Sequence, residues 1–227
     1  MSEPSRQADI GDNLVRLRPE APRVEVLGRT HPGRAEAEAF AVRRFAEAFG
    51  ARARADHPLI AVLRAAGGEV LASAGVRFAE AEPLFLERYL DDPVEAEVER
   101  RLGGPAPRAS IAEIGAFASI HPAWSLRLFE ALPMWLSTAA GRRYAVATLR
   151  PELARALGRA GFRLQPIAEA DPARLGDEAS AWGSYYDGAP KVYAGRVVGG
   201  AALAGLRDRL RARTMERQAR RRARALA

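Results

Sequence analysis

The sequence predicts an α+β protein: one mixed central sheet flanked by helices, in a single domain. The chain has 227 residues, 48% of them apolar, which is one domain of generous size with material for a real core. Stretches with strand-like apolar patterning exchange with stretches of helical spacing. Their order is β, α, β, β, α, β, α, β, α, β, and no internal repeat interrupts it.

Residues 1–22 mix charge, Pro and Gly without periodicity and read as a flexible leader that lacks the apolar run of a signal peptide. The domain is expected over residues 23–200. VEVLGR, residues 24–29, alternates like a short strand. Thr30 and Pro32 then open a helix in which Phe40, Phe45 and Phe49 recur at helical spacing before Gly50 ends it. In residues 59–78, two apolar runs joined by Ala-Ala-Gly-Gly read as an antiparallel hairpin. Residues 83–104 read as an extended exit from that hairpin, then a helix opened by Pro93 and stopped by Gly103 and Gly104. Next come a strand at 110–119, a helix at 122–140 with a kink expected at Pro133, and a buried strand at 142–149. A short helix with Pro151 at its first position leads to a last strand at 163–168. Beyond it the chain is rich in turn residues yet dense in aromatics, the pattern of a structured loop packed on the domain. Residues 201–227 read as an exposed basic helix.

The absence of cysteine excludes disulfides, a thiol nucleophile and zinc–thiolate clusters, and makes the cytoplasm the expected location. Residues 207–224 hold nine arginines against Asp208 and Glu216, which accounts for the whole net charge of +7. The body is therefore neutral. No aromatic and basic platform accompanies the arginines, so no nucleic-acid partner is expected, whereas peripheral membrane contact by the tail stays open. His31, His57 and His121 lie far apart without metal-ligand spacing, so no metal site is expected. A G-x-S-x-G elbow, a Walker loop and a strand-linked G-x-G-x-x-G are all missing, so serine hydrolase, P-loop and Rossmann readings lack their motifs.

Three stretches carry a resemblance: PLFLERYLDDPVE at 83–95, AEIGAFAS at 112–119 and DPARLGDEASAWGSYYDGAPKVYAG at 171–195. Together they resemble the thermostable hemolysin family, over about residues 24–195, and the element order is similar to that of the GNAT acyltransferase superfamily. A more distant resemblance is to acyl-homoserine lactone synthases. GVRFAEAEPLFL is similar to the stretch around their Arg-Leu-Leu-Pro, EIGAFA to their Glu-x-Ser-Arg-Phe-Ala strand, and LRPELARALGRAGFRLQPI to their late helix with its Arg-Ala-Gly-aromatic ending.

The resemblance implies transfer of an acyl group from an acyl carrier protein or coenzyme A thioester to the amine of a small acceptor such as an amino acid. It implies no resident cofactor; the thioester is a co-substrate. Such a reaction needs an opening between central strands, backbone N–H donors for the tetrahedral oxyanion and a base for the amine proton. On the matching positions, Glu113 would orient or deprotonate the amine, and Arg77 would grip the acceptor's carboxylate or carbonyl. Gly115, Phe117, Ala118 and Ser119 would supply the donor edge. Phe85, Tyr89, Trp182, Tyr185 and Tyr186 would form an acyl or acceptor pocket, and Arg127, Arg142 and Arg143 would meet an acidic carrier protein.

The chain departs from these patterns in two places. Ala116 stands where the lactone synthases carry arginine and the hemolysin family asparagine. The glycine-rich pyrophosphate loop is replaced by IHPAWSLRLF after Ser119, which favours a carrier protein over coenzyme A. Two other functions stay open: a membrane-active hemolysin, and a non-catalytic binding module on the same scaffold. An amphiphilic acylamide product would reconcile lysis with catalysis.

Overall fold

The structure, a computed structural model, describes residues 22–52 and 56–197, so the expected leader and basic tail lie outside the described residues. Strand β1 (Arg23–Leu27) is followed by helix α1 (Arg34–Phe49), which ends at Gly50 in the left-handed region at φ 64°. Strands β2 (Leu59–Arg64) and β3 (Val70–Phe78) form the expected hairpin. Phe85–Tyr89 is a 3-10 turn rather than an extended exit. It turns because Glu87 reaches back to the Leu84 N–H at 2.8 Å, while both oxygens of its carboxylate take hydrogen bonds from Arg108.

Helix α2 (Val94–Leu102) starts after Pro93 and stops at Gly103. Strand β4 (Ile111–Ser119), helix α3 (Pro122–Thr138), strand β5 (Tyr144–Leu149), helix α4 (Pro151–Arg159) and strand β6 (Leu164–Glu169) follow as read. Helix α3 runs unbroken through Pro133.

One element was not expected. Lys191–Arg196 is a strand, β7, inserted between β5 and β6, so the sheet has seven strands in the order β1-β2-β3-β4-β5-β7-β6. Its residues alternate: Val192 and Ala194 are buried in the core of one face, and Tyr193 packs with Leu149 and Leu157 on the other. All pairs are antiparallel except β4 with β5.

The sheet is covered on both sides. On one face lie α1, α2 and the turns at 85–89 and 172–188, around Leu86, Val94, Val98, Ile111 and Val146. On the other, α3 buries Leu128, Leu132 and Leu136 against Ala61, Ala72, Ala74 and Ala112, small residues that let the helix approach closely. The aromatic loop is a run of 3-10 turns, Pro172–Gly188, broken at Gly176 and Gly183. Gly183 is required there: at φ 54° a Cβ would sit 2.0 Å from the Phe49 carbonyl oxygen, so only glycine lets the loop lie against the end of α1.

Candidate active site

The site is made by a failure of pairing. Parallel strands β4 and β5 are bonded only where Ile111, Ala112 and Glu113 face Tyr144, Ala145 and Val146. Beyond that point β4 runs on to Ser119 and β5 to Leu149 without each other, so the sheet opens into a V. On its other side β4 carries a bulge. Ser73 faces Ala118 but Gly75 faces Gly115, which leaves one extra residue on β4. Ala116 takes the bend at φ 44°, a conformation that costs a residue with a Cβ roughly 1–2 kcal/mol. Bulge and splay together put Gly115, Ala116 and Phe117 on the wall of the opening.

Two cavities of about 620 Å³ each flank the V and share the wall formed by Ile114, Phe129 and Leu149. The first lies under α1 and the aromatic turns, the second between α3, α4 and the sheet.

The first cavity holds the carboxylates and a histidine, whereas the second is lined mostly by apolar side chains, with Arg101, Arg163 and Arg196 among them. Glu113, 3% exposed, accepts the Phe85 N–H on Oε2 at 2.9 Å and the Leu86 N–H on Oε1 at 3.0 Å. Its burial pushes it up to about 7, against the pull of those N–H groups and of Arg77, whose guanidinium is 3.8 Å away. Arg77 is otherwise committed: Nη2 donates to the Asp56 carbonyl and Nε lies 2.9 Å from Glu82. Arg150, at the end of β5, lies over the Phe49 ring at 5.4 Å, with Glu152 3.6 Å from its Nε, which is buried without a hydrogen-bond partner. Asp56, Arg88, Glu152 and Glu178 complete the charged lining.

Among the aromatic predictions, Phe85, Tyr89, Trp182, Tyr185 and Tyr186 all line this cavity, joined by Phe45 and Phe49 of α1. The Tyr89 and Tyr186 hydroxyls bond each other, and Tyr185 donates to the Thr148 carbonyl at 3.1 Å. Burial raises the pKa of all three tyrosines, so they remain neutral.

Of the proposed donor edge, Gly115 and Phe117 reach the cavity. Ala118 is buried with the core under α1, and Ser119 bonds Ser125 through its hydroxyl at 2.6 Å and Arg44 through its carbonyl at 3.1 Å. The three arginines expected at a carrier protein are not brought together. Arg127 is exposed on α3, but Arg142 and Arg143 precede β5 at the closed end of the V. Arg142 is held by Glu80 at 2.5 Å and stacks on Phe78 at 4.0 Å. Arg143 donates to the Pro105 carbonyl at 3.2 Å.

His57, which has no metal-ligand spacing in the sequence, is a further residue of the site. It lines the cavity, 8% exposed. Burial and the nearby Arg77 lower its pKa to about 4, so the ring is neutral. Gly75 and Gly115 are the signal that marks it: isolated glycines in neighbouring strands indicate close approach of another group.

Comparisons with known families and solved structures bear on the fold. The thermostable hemolysin profile matches residues 27–201. The chain belongs to the thermostable hemolysin family. No curated protein matches it. Among solved structures, it is similar to a CoA-dependent acyl-homoserine lactone synthase, BjaI, solved with SAM and isopentyl-CoA: 15% identity, TM-score 0.57, covering 83% of this chain and 89% of that one. It is similar to TofI in its apo form, at 19% identity and TM-score 0.53, over 81% and 95% of the two chains. FeeM, an N-acyl amino acid synthase from uncultured soil microbes, is 17% identical at TM-score 0.50, over 78% and 92%. These likenesses establish the shared fold, the mixed sheet expected from the GNAT resemblance.

Proposed function

We propose that this protein is an N-acyltransferase that moves a fatty acyl group from a carrier thioester to the amine of a small acceptor bearing a carboxylate, such as an amino acid. The observation that carries this reading is the V beyond Glu113 and Val146, with a strained bulge at its edge and a cavity on each side. A thioester carbonyl lying in the V would present its oxygen to the N–H groups of the bulge. The acyl chain would fill the apolar cavity, and the acceptor the charged, aromatic one. Within the latter, Glu113 orients the amine with the lone pairs its backbone partners leave free. Arg150, whose Nε is buried without a hydrogen-bond partner, takes the acceptor's carboxylate. Arg77 positions the Asp56 segment.

The start of α3 supports a carrier protein as donor. Pro122 has no N–H, Ala123 N–H donates to His121 Nδ1 at 3.2 Å, and Trp124 N–H donates to the His121 carbonyl at 3.0 Å. The amides that would close on a coenzyme A pyrophosphate are already used. Arg127, exposed on this helix, would meet an acidic carrier surface.

The test is intact-mass analysis of acyl carrier protein loaded with C8 to C16 chains, incubated with the protein and a pool of amino acids, beside an acyl-coenzyme A series. Loss of acyl only in the presence of amine, with an N-acyl amino acid formed, is the expected result. No turnover with either donor overturns the reading.

A further inference from the structure

The chain has three histidines, and two of them do local work. His31 accepts the Gly33 N–H on Nδ1 at 3.1 Å and His121 accepts the Ala123 N–H on Nδ1 at 3.2 Å; both are exposed. His57 is different in every respect. It is buried, its Nδ1 has no hydrogen-bond partner, and its ring lies flat against two adjacent strands.

The sheet makes room for that ring. Gly75 on β3 and Gly115 on β4 are register partners. A Cβ on Gly75 would fall 2.3 Å from His57 Cγ, and a Cβ on Gly115 2.5 Å from His57 Nε2. No side chain other than hydrogen is compatible with the imidazole at either place.

The backbone that carries the ring is fastened on both sides. The Asp56 carbonyl accepts from Arg77, the His57 carbonyl from Arg34, and the Pro58 carbonyl from Arg34 at 3.1 Å. Arg34 is itself buried on α1 and held by Glu38 at 2.6 Å. Two arginines and two glycines thus fix one imidazole, and its Nε2 edge stands over Gly115, one residue before the bulge at Ala116, facing the cavity.

We propose that His57 is the catalytic proton acceptor of the acyl transfer. This rests on the acyltransferase reading above and assigns within it a role separate from that of Glu113. Glu113 receives a backbone N–H on each oxygen and orients; His57, whose Nε2 lies over Gly115 beside the bulge, accepts. In the step, the acceptor nitrogen forms a bond to the thioester carbonyl carbon and that carbon's bond to sulfur breaks. The proton shed by nitrogen passes to His57 Nε2 and from there to the departing thiolate, which leaves as thiol. The relay regenerates the neutral imidazole. Burial and Arg77 disfavour the imidazolium, so the proton His57 takes up is passed on to the thiolate rather than retained.

The experiment compares wild type with His57→Ala in the carrier-protein assay, with and without millimolar imidazole, and records melting temperature and donor KM beside kcat. Loss of a general base predicts a fall in kcat of about 10²- to 10⁴-fold, with donor KM within a few-fold of wild type and saturable recovery by imidazole. A folded His57→Ala protein with wild-type kcat overturns the proposal and leaves the acyltransferase reading standing. So does a loss that imidazole does not restore and that appears as a rise in donor KM. A wild type without turnover overturns both. Should His57→Ala not fold, diethyl pyrocarbonate on the wild type decides: inactivation tracking modification of His57 by peptide mass supports the role, and inactivation tracking only His31 and His121 overturns it.

Discussion

The two cavities beside the V have the same volume and a common wall, yet one is armed with carboxylates and a histidine, and the other is mostly apolar with arginines as its only charged lining among the described residues. The difference originates in the alternation of two strands. On β4, Glu113 and Gly115 face α1 and the aromatic turns while Ala112 and Ile114 face α3. On β5, Thr148 faces the armed side, and Ala145 and Ala147 face the other. Reacting groups therefore gather on one face of the sheet, and small apolar residues open space on the other. The splayed sheet brings the two environments together at one wall, Ile114, Phe129 and Leu149.

The largest effect should come from the armed side. In Glu113→Gln, an amide nitrogen must face either the Phe85 or the Leu86 N–H, leaving buried donors opposed at a cost of about 1–3 kcal/mol in stability. Its orienting role predicts kcat/KM lower by about 10²-fold or more, read by acyl loss from the carrier, with the melting temperature reporting the stability part separately. A stable variant of unchanged activity would remove Glu113 from the site. On the unarmed side, Ala147→Phe should fill the apolar cavity without touching the chemistry. At ~0.8 kcal/mol per buried methylene, exclusion of three methylenes lowers kcat/KM for long chains by roughly 50-fold and spares short ones. Equal loss for C8 and C16 donors would mean that the chain does not lie there.

A smaller effect probes the wall between them. Ala116 holds its left-handed conformation against the Cβ penalty, and Asn tolerates that region better than Ala. Ala116→Asn, the residue common in the family by resemblance, should raise stability by about 1 kcal/mol or less in urea unfolding. Destabilisation would show that the bulge tolerates no larger side chain.

The sequence made much of the scaffold readable and less of the site, for definite reasons. The hairpin at 59–78, α1 and α2 with their glycine stops, and the helix after Pro151 depend on local periodicity and punctuation, which a single chain displays. Strand β7 escaped because KVYAGR follows a turn-rich stretch and its place between β5 and β6 is decided by partners far away in sequence. Glu113, Arg77 and the aromatic block came through the family resemblance, and the fold does bring them to one cavity. His57 needed the register of β3 on β4, because neither Gly75 nor Gly115 says alone what it makes room for. Arg142, expected at a carrier protein, is instead held by Glu80 and Phe78, partners distant in sequence that no local pattern displays.

The finest comparison sets the two buried titrating groups of the armed cavity against each other. Glu113 is raised from an ordinary 4.5 to about 7, so between those values the folded chain keeps a proton that the unfolded chain has lost, and stability falls as pH rises. His57 is lowered from 6.5 to about 4, so the unfolded chain keeps the proton that the folded one refuses, and stability rises with pH through that window. From 4.5 to 6.5 the two tendencies overlap and oppose each other. Urea unfolding at half-unit steps should therefore separate them by difference. The Glu113→Gln curve should climb more steeply with pH than wild type, because only the histidine remains. The His57→Asn curve should tilt the other way, because only the glutamate does. Parallel curves for wild type and both variants would mean that neither group is held away from its ordinary protonation, and the division of labour between an orienting carboxylate and a neutral imidazole would lose its electrostatic basis.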